Sequence, residues 1–160
     1  MTPLHDVQDF LSRKRFAVVG VSRDPKDFTR SLFAELRRRQ YDVVPVNPAV
    51  QEVDGVKCFA HIGEVSPAPE AALLLTRPAV TDQVVEECAE AGVQCVWMHR
   101  GGGTGAVSPA AVRFCEAHGI RVIAGECPFM FLPQGEWPHR VHGFLRKLFG
   151  RYPRQNIKKP

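Results

Sequence analysis

The sequence predicts an α/β protein built on a doubly wound, parallel five-stranded sheet, in a single domain over residues 1–150. Apolar runs without polar alternation recur along the chain, which is typical of strands buried on both faces. Amphipathic segments with helix-start and helix-end signals separate these runs. This alternation favours a parallel sheet with right-handed crossovers, and among the few remaining topologies we expect the strand order 3-2-1-4-5.

Five short apolar runs define the predicted strands. Most are followed by glycine or proline signals that stop an extended segment. Pro45 lies inside the second run and argues against a central position for that strand, because proline cannot donate a hydrogen bond to a neighbour. In chain order the predicted strands are Phe16–Gly20, Asp42–Val46, Ala71–Leu75, Cys95–Met98 and Ile120–Ala124.

Helices are predicted between the strands. Thr2-Pro3 suits a helix start, Thr29 can cap the helix after the first strand, and Ser108-Pro109 combines a cap with a first-turn proline. Further predicted elements are a helix from Val80 to Ala91 ended by Gly92, a final helix from His139 to Phe149, and a turn at Val53–Val56 between two short extended pieces.

Composition restricts the class of protein. Of the 160 residues, 44% are hydrophobic and 24% are charged, which is the balance of an ordinary globular domain. No apolar run approaches the roughly 20 residues that span a bilayer, and we find no secretory signal, so we expect a cytoplasmic protein without membrane contact. The five cysteines are odd in number and lack the spacing of a zinc knuckle, so we expect most of them to be small buried residues rather than disulfides or metal ligands.

Positive charge is concentrated near the C-terminus. The net charge is +4, yet the segment from Trp137 to Pro160 carries seven basic residues and no acid, so the rest of the chain is net negative. Residues 151–160 read as a basic tail. Such a tail is most often a solvated end that aids solubility, although it could also contact nucleic acid, an acidic partner or a phosphate-rich ligand.

The loop after the first strand is a candidate phosphate site. Ligands of doubly wound sheets bind outside the carboxyl ends of the strands where the order reverses, and in the expected order that crevice lies between the first and fourth strands. The loop from Gly20 to Arg30 leads into a helix N-terminus, whose N–H groups and dipole suit an anion. Ser22 adds a hydroxyl donor, and Arg23, Lys26 and Arg30 add positive charge. Ser22 also replaces the second glycine of G-x-G-x-x-G, so glycine spacing alone is a weak signal.

The end of the second strand distinguishes between nucleotides. A NAD site expects Asp or Glu there to bind the adenosine ribose, but this chain has Asn47-Pro48 and no carboxylate until Glu52. Since a carboxylate would repel a ribose phosphate, the site suits a nucleotide with an additional phosphate better than it suits NAD. Two further loops border the crevice: Thr76-Arg77-Pro78 after the third strand and the glycine-rich loop that begins at His99-Arg100 after the fourth.

This arrangement resembles the family of small CoA-binding proteins, whose single Rossmann-like domain is similar to the CoA-binding domain of the succinyl-CoA synthetase alpha subunit. The resemblance covers roughly Leu11 to Pro128, and the order and spacing of its motifs carry it more than any one motif does. The matching segments are Phe16–Ser22, Val43–Pro48, Val53–Val56, Ala91-Gly92 and Val96-Trp97.

The resemblance implies that the chain binds coenzyme A or an acyl-CoA, without catalytic machinery of its own. It implies phosphate contacts at Gly20, Val21, Ser22 and Arg23, a ribose border at Asn47 and Pro48, an adenine side at Thr76, Arg77 and Pro78, and ligand approach at His99 and Arg100. Relatives often have a basic residue after the Asn-Pro pair, where this chain has Ala49. Recognition of the 3′-phosphate would then depend on Arg23, Arg30 or Arg77.

Other functions stay open at this stage. The chain could be an NAD(P)-type nucleotide sensor, or a protein that binds nucleic acid or a partner through the basic tail. Cys127 with His139 or His142 could form a nucleophile and base, but nothing identifies the accompanying groups. Cys127 could alternatively form a mixed disulfide with the thiol of CoA. His139 and His142 could bind a metal ion if Cys127 supplied the third ligand. Apolar segments near the C-terminus are compatible with core packing or with a homodimer interface.

Overall fold

The computed structural model describes residues 2–133 of the chain. The predicted strands form at nearly the predicted positions, and the predicted turn at Val53–Val56 joins a small antiparallel hairpin. In chain order the elements are α1 (Leu4–Ser12), β1 (Arg15–Val19), α2 (Phe28–Arg38), β2 (Asp42–Val46), β3 (Glu52–Val53), β4 (Val56–Lys57), a 3-10 turn (Ile62–Glu64), β5 (Ala71–Leu74), α3 (Pro78–Glu90), β6 (Cys95–Met98), α4 (Pro109–Ala117), β7 (Arg121–Ala124) and a second 3-10 turn (Pro128–Met130).

The main sheet is parallel and five-stranded, which confirms the predicted fold class, but its strand order differs from the expected one. The order is β2-β1-β5-β6-β7, so the third predicted strand pairs with the opposite side of β1 rather than with β2. The expected order 3-2-1-4-5 is therefore wrong, and the observed order corresponds to 2-1-3-4-5.

Pro45 explains why β2 lies at the edge of the sheet. Phe59 N–H donates to the Pro45 carbonyl at 3.0 Å from the outer side of β2. In a parallel strand the N–H and C=O of one residue point the same way, so the missing N–H of Pro45 also faces outward and costs β1 no hydrogen bond. All four residues of β5 are buried, which suits its position between two neighbours.

Helices cover both faces of the sheet. In β1, Phe16 and Val18 face the layer formed by α1 and α2, whereas Ala17 and Val19 face the layer formed by α3 and α4. The first layer is rich in aromatic side chains: the Phe10 and Trp97 rings meet edge to face, with centroids 5.3 Å apart. The sheet is thus held between two apolar layers, and its carboxyl edge is left for loops.

Side-chain caps and left-handed residues bound the helices. Asp27, not Thr29, is the N-cap of α2, and its carboxylate accepts a hydrogen bond from Thr29 N–H. Ser108 caps α4 as predicted, and its hydroxyl accepts from Ala111 N–H. Gly92 has a φ of +78° just after α3, a conformation that favours glycine. The predicted helix from His139 to Phe149 and the basic tail lie outside the described residues.

Arg30 and Arg37 dock the small hairpin on α2. The Arg30 guanidinium forms an ion pair with the Asp54 carboxylate at the hairpin tip, and Arg37 donates to the Asp54 carbonyl at 2.9 Å. Asp54 and Gly55 both have positive φ angles, as expected of a tight two-residue hairpin turn. Within residues 2–133 no helix is both long and apolar enough to cross a membrane.

Candidate functional site: a cleft at the carboxyl edge of the sheet

The observed strand order places the crevice at a different position from the one predicted. The chain leaves β2 on one side of β1 and enters β5 on the other, so the order reverses between β1 and β5. The expected position between the first and fourth strands is wrong for the same reason as the expected order. As a result, the loop that begins at Thr76 lies between the loop after β1 and the loop after β6, in the middle of the carboxyl edge.

A close approach between two strand ends forms the floor of this cleft. Gly20 has a φ of +94°, and a Cβ at this position would lie 3.1 Å from the Leu75 carbonyl carbon and 3.2 Å from Thr76 Cγ2. Gly20 N–H also donates to the Val46 carbonyl at 2.9 Å. Glycine is therefore required both for the backbone conformation and for the contact between the ends of β1 and β5.

The first cavity lies over β1, β2 and β5 and has a volume of about 390 Å³. Five residues predicted from the sequence line it, and they come from three separate loops: Gly20, Asn47, Pro48, Thr76 and Arg77. Ala60 and His61 close one side, and the α3 side chains of Val80, Gln83, Val84 and Glu87 close another. We call this space the β1–β5 cavity.

The second cavity has a volume of about 480 Å³ and lies over β5 and β6. His99, Pro78 and the glycine-rich loop from Gly102 to Ala106 line it, together with Leu75, Thr76 and Arg77, which also border the first cavity. We call it the β5–β6 cavity. Because the two cavities share these three residues, they lie side by side, and we call the two together the cleft. Each is within the usual size range of ligand pockets, about 300–1,000 Å³.

Hydrogen bonds within the loop after β1, and between this loop and the start of α2, use many of its polar groups. Ser22 N–H donates to the Thr29 hydroxyl at 2.9 Å, and the Ser22 hydroxyl accepts from Asp24 N–H at 3.1 Å. The Asp27 carboxylate occupies the N-terminus of α2, where an anion was expected. Asp24 and Asp27 also balance the charges of Arg23 and Lys26, so this loop is less cationic than its basic residues suggest.

Predicted site residues that do not line either cavity have distinct positions. Val21 is fully buried in the apolar layer under α1 and α2, so only its backbone is available to a ligand. Arg30 is held by Asp54 and lies 3.4 Å from the Ser22 and Arg23 carbonyls. Arg23 and Arg100 are exposed.

Asn47 connects the loops after β1 and β2. Its side-chain amide donates to the Val21 carbonyl at 2.9 Å, and its side-chain carbonyl accepts from Ala49 N–H at 2.9 Å. Asn47 N–H in turn donates to the Phe59 carbonyl at 2.8 Å. These bonds hold Pro48 and the segment around Phe59 at the rim of the β1–β5 cavity.

His99 is an uncharged, partly sequestered imidazole beside the β5–β6 cavity. Its ring stacks on Phe28 with centroids 5.2 Å apart, and its Nε2 atom is buried with no hydrogen-bond partner among residues 2–133. Burial lowers the pKa of His99 to about 4, so the ring is neutral near pH 7. The main-chain carbonyl of His99 accepts a hydrogen bond from Ala106 N–H at 2.7 Å, and this bond closes the glycine-rich loop. Gly105 is required in this loop because a Cβ there would lie 2.4 Å from the same carbonyl oxygen.

Sequence reasoning missed an imidazole–carboxylate pair in the β1–β5 cavity. His61 Nδ1 lies 3.1 Å from Glu87 Oε1, and Glu87 Oε2 accepts from Ile62 N–H at 3.3 Å. Val80, Val84 and Glu87 lie at helical i, i+4, i+7 spacing, which could have indicated a shared face of α3. No local signal places His61 opposite that face, because its position depends on the pairing of Phe59 with β2.

Cys127 lies in the interior. It is 1% exposed, and burial raises the pKa of its thiol to about 11. This environment disfavours the thiolate that a nucleophile needs. All five cysteines are free and buried, as expected from their spacing. His139 and His142 lie outside the described residues, and residues 2–133 hold no cluster of three side chains suited to a metal ion.

The fold is that of Rossmann-like α/β domains, with loops from three parallel strands gathered around one cleft. The chain belongs to the CoA-binding domain family, whose match spans residues 14–133. The family resemblance read from the sequence is thereby confirmed.

Individual relatives agree with this assignment. The chain is 30% identical over 125 residues to the alpha subunit of an ADP-forming acetate–CoA ligase from Pyrococcus furiosus. The matched region covers 74% of this chain and 27% of that protein. The chain is 27% identical over 123 residues to the uncharacterized protein YneT of Bacillus subtilis, which covers 76% of this chain and 88% of that one. A solved structure of a hypothetical protein from Pyrococcus horikoshii matches with a TM-score of 0.74 and 27% identity, over 81% of this chain and 89% of the other. The chain therefore spans about a quarter of the ligase subunit but most of the smaller relatives.

Proposed function

We propose that this protein binds coenzyme A or an acyl-CoA in the cleft formed by the β1–β5 and β5–β6 cavities. The observation that carries the proposal is the convergence of Gly20, Asn47, Pro48, Thr76 and Arg77 on one cavity in a chain of the CoA-binding domain family. These residues are far apart in sequence, and the parallel sheet brings their loops together.

The proposed ligand runs along the carboxyl edge of the sheet. The pyrophosphate contacts the backbone from Gly20 to Arg23, and Asn47 and Pro48 border the adenosine ribose. Thr76, Arg77 and Pro78 flank the adenine, and the pantetheine arm extends from the pyrophosphate toward His99 and Arg100. The neutral His99 ring and the glycine-rich loop suit this uncharged, amide-bearing arm.

The proposed role of this domain is binding rather than chemistry. The buried, poorly acidic thiol of Cys127 makes a weak candidate for a nucleophile or for a mixed disulfide with the ligand. A binding role is supported by Arg77, which is exposed and borders both cavities. Arg30 stabilises the loop after β1 by donating hydrogen bonds of 3.4 Å to the Ser22 and Arg23 carbonyls.

Isothermal titration calorimetry tests this proposal. The protein is titrated with CoA, acetyl-CoA, dephospho-CoA, NAD and NADP, and the same series is repeated with Arg77→Ala. Removing a cation that contacts a ligand phosphate is expected to weaken CoA binding about tenfold. The matched control is Arg113→Ala, which removes an exposed arginine on α4 that lines neither cavity. Binding of NAD in place of CoA, or no nucleotide binding, would overturn the proposal.

A further inference from the structure

The β1–β5 cavity contains an imidazole–carboxylate pair to which no role has yet been assigned. His61 and Glu87 face each other across 3.1 Å at its edge, opposite the end of β2. The His61 side chain is 56% exposed, so the pair is open to a ligand rather than sealed in the core.

Hydrogen bonds of the main chain bring His61 to the end of β2. Phe59 N–H donates to the Pro45 carbonyl at 3.0 Å, and the Phe59 carbonyl accepts from Asn47 N–H at 2.8 Å. His61 follows two residues later and lines the same cavity as Asn47 and Pro48. The imidazole is therefore near the residues proposed to border the ribose.

Glu87 determines which ring nitrogen is left for a ligand. An ionised carboxylate only accepts hydrogen bonds, so the bond to Glu87 places a hydrogen on His61 Nδ1. The second carboxylate oxygen accepts from Ile62 N–H, which anchors the carboxylate at the start of the 3-10 turn. Nε2 is then the ring nitrogen available to a group in the cavity.

Within residues 2–133, few cations in this part of the cleft could bind an additional ribose phosphate. Ala49, which follows the Asn-Pro pair, carries no charge, and Arg30 is engaged by Asp54. Arg23 does not line the cavity. Among the residues of the described range 2–133 that line it, Arg77 and His61 are the two side chains able to carry positive charge.

We propose that His61, held by Glu87, recognises the phosphate monoester on the ligand's ribose and so determines preference for CoA over dephospho-CoA. This inference rests on the proposed function of the cleft. As imidazolium, the ring donates from Nδ1 to the Glu87 carboxylate and from Nε2 to the phosphate, and each bond is charge-assisted. Arg77 supplies the second positive charge on the cavity wall.

The test compares affinities for ligands that differ only in this phosphate. Calorimetry measures the Kd of CoA and of dephospho-CoA for the wild type, His61→Gln and His61→Lys. Gln can hydrogen-bond but cannot carry charge, so the ratio of the two Kd values is expected to fall about 5- to 10-fold, chiefly through weaker CoA binding. Lys restores a cation at this position, and we expect it to recover most of the preference.

The control is His118→Gln, which changes an exposed histidine between α4 and β7. This histidine lies at the amino edge of the sheet, whereas the cleft lies at the carboxyl edge. A wild-type ratio in His61→Gln would overturn the inference, as would an equal loss for both ligands without rescue by Lys. In those two cases CoA still binds and the proposed function stands. If NADP binds instead of CoA, the proposed function fails, and the NADP-to-NAD ratio in His61→Gln decides the role of His61. No binding of any of these nucleotides would overturn both.

Discussion

Replacement of Gly20 by alanine tests the strand contact that forms the floor of the cleft. The new Cβ would lie 3.1 Å from the Leu75 carbonyl carbon and 3.2 Å from its oxygen, atoms of a strand end that cannot rotate away. The residue would also keep a φ of +94°, which an L side chain rarely adopts. Both effects act on the folded state, so we expect lower stability.

The magnitude follows from two separable costs. Backbone strain of a non-glycine residue at positive φ is about 1–2 kcal/mol, and the stiffer unfolded chain offsets about 0.4–1 kcal/mol of it. Displacing packed backbone adds about 1–2 kcal/mol. The free energy of unfolding should therefore fall by about 1–3.5 kcal/mol, which corresponds to a decrease in Tm of about 2–14 °C for a domain of this size.

Gly92→Ala separates the two costs. Gly92 has a φ of +78°, but a Cβ there would meet no atom of residues 2–133 within 4 Å, so this variant carries the backbone strain alone. Urea unfolding followed by tryptophan fluorescence gives the free energies, and calorimetry gives the CoA affinity of each variant. We expect Gly20→Ala to be less stable than Gly92→Ala by about 1–2 kcal/mol, and to be the one that weakens CoA binding. Equal stability of the two variants would refute the argument from close approach.

Two further predictions concern buried titratable groups. Burial depresses the pKa of His99 to about 4, so the unfolded chain binds a proton that the folded chain excludes, and stability is lost as the pH falls from about 6.5 toward 4. His99→Phe keeps a ring against Phe28 and should remove about 2 kcal/mol of the loss between pH 7 and pH 5 in urea titrations; a wild-type pH dependence in this variant would contradict the assignment. Because burial raises the pKa of Cys127 to about 11, we expect a thiol reagent to modify it only after unfolding, and rapid labelling of native protein at Cys127, located by peptide mapping, would show that it is accessible.

The elements of the sheet could be predicted from the sequence, whereas their order could not. Uninterrupted apolar runs such as Ala71–Leu75 identify strands buried on both faces, whichever neighbours they have. The order depends on which side of β1 the chain reaches after the hairpin, and this is a long-range choice. Pro45 was the one local indication of the strand order. Proline favours an edge position, whereas the expected order placed β2 between two neighbouring strands.

The candidate site likewise has features that could be predicted from the sequence and features that only the structure shows. Gly20, Asn47 and Thr76 follow strand ends, and the carboxyl ends of parallel strands always share one edge, so the convergence of their loops could be expected. Arg30 was expected to bind phosphate, but it pairs with Asp54, 24 residues further along the chain, because the hairpin folds against α2. His61 was missed because its approach to Glu87 depends on the edge pairing of Phe59.

The sequence by itself determined the class of fold, the family and the loops that carry the candidate site, because apolar periodicity, glycines and strand-end motifs act over a few residues. The tertiary structure decided the strand order, the position of the cleft between β1 and β5, and the partners of each charged side chain. Charge pairing depends on distances of a few ångströms between segments far apart in the chain. The same arginine or histidine can therefore support a loop or face a ligand, and only the packed structure distinguishes the two.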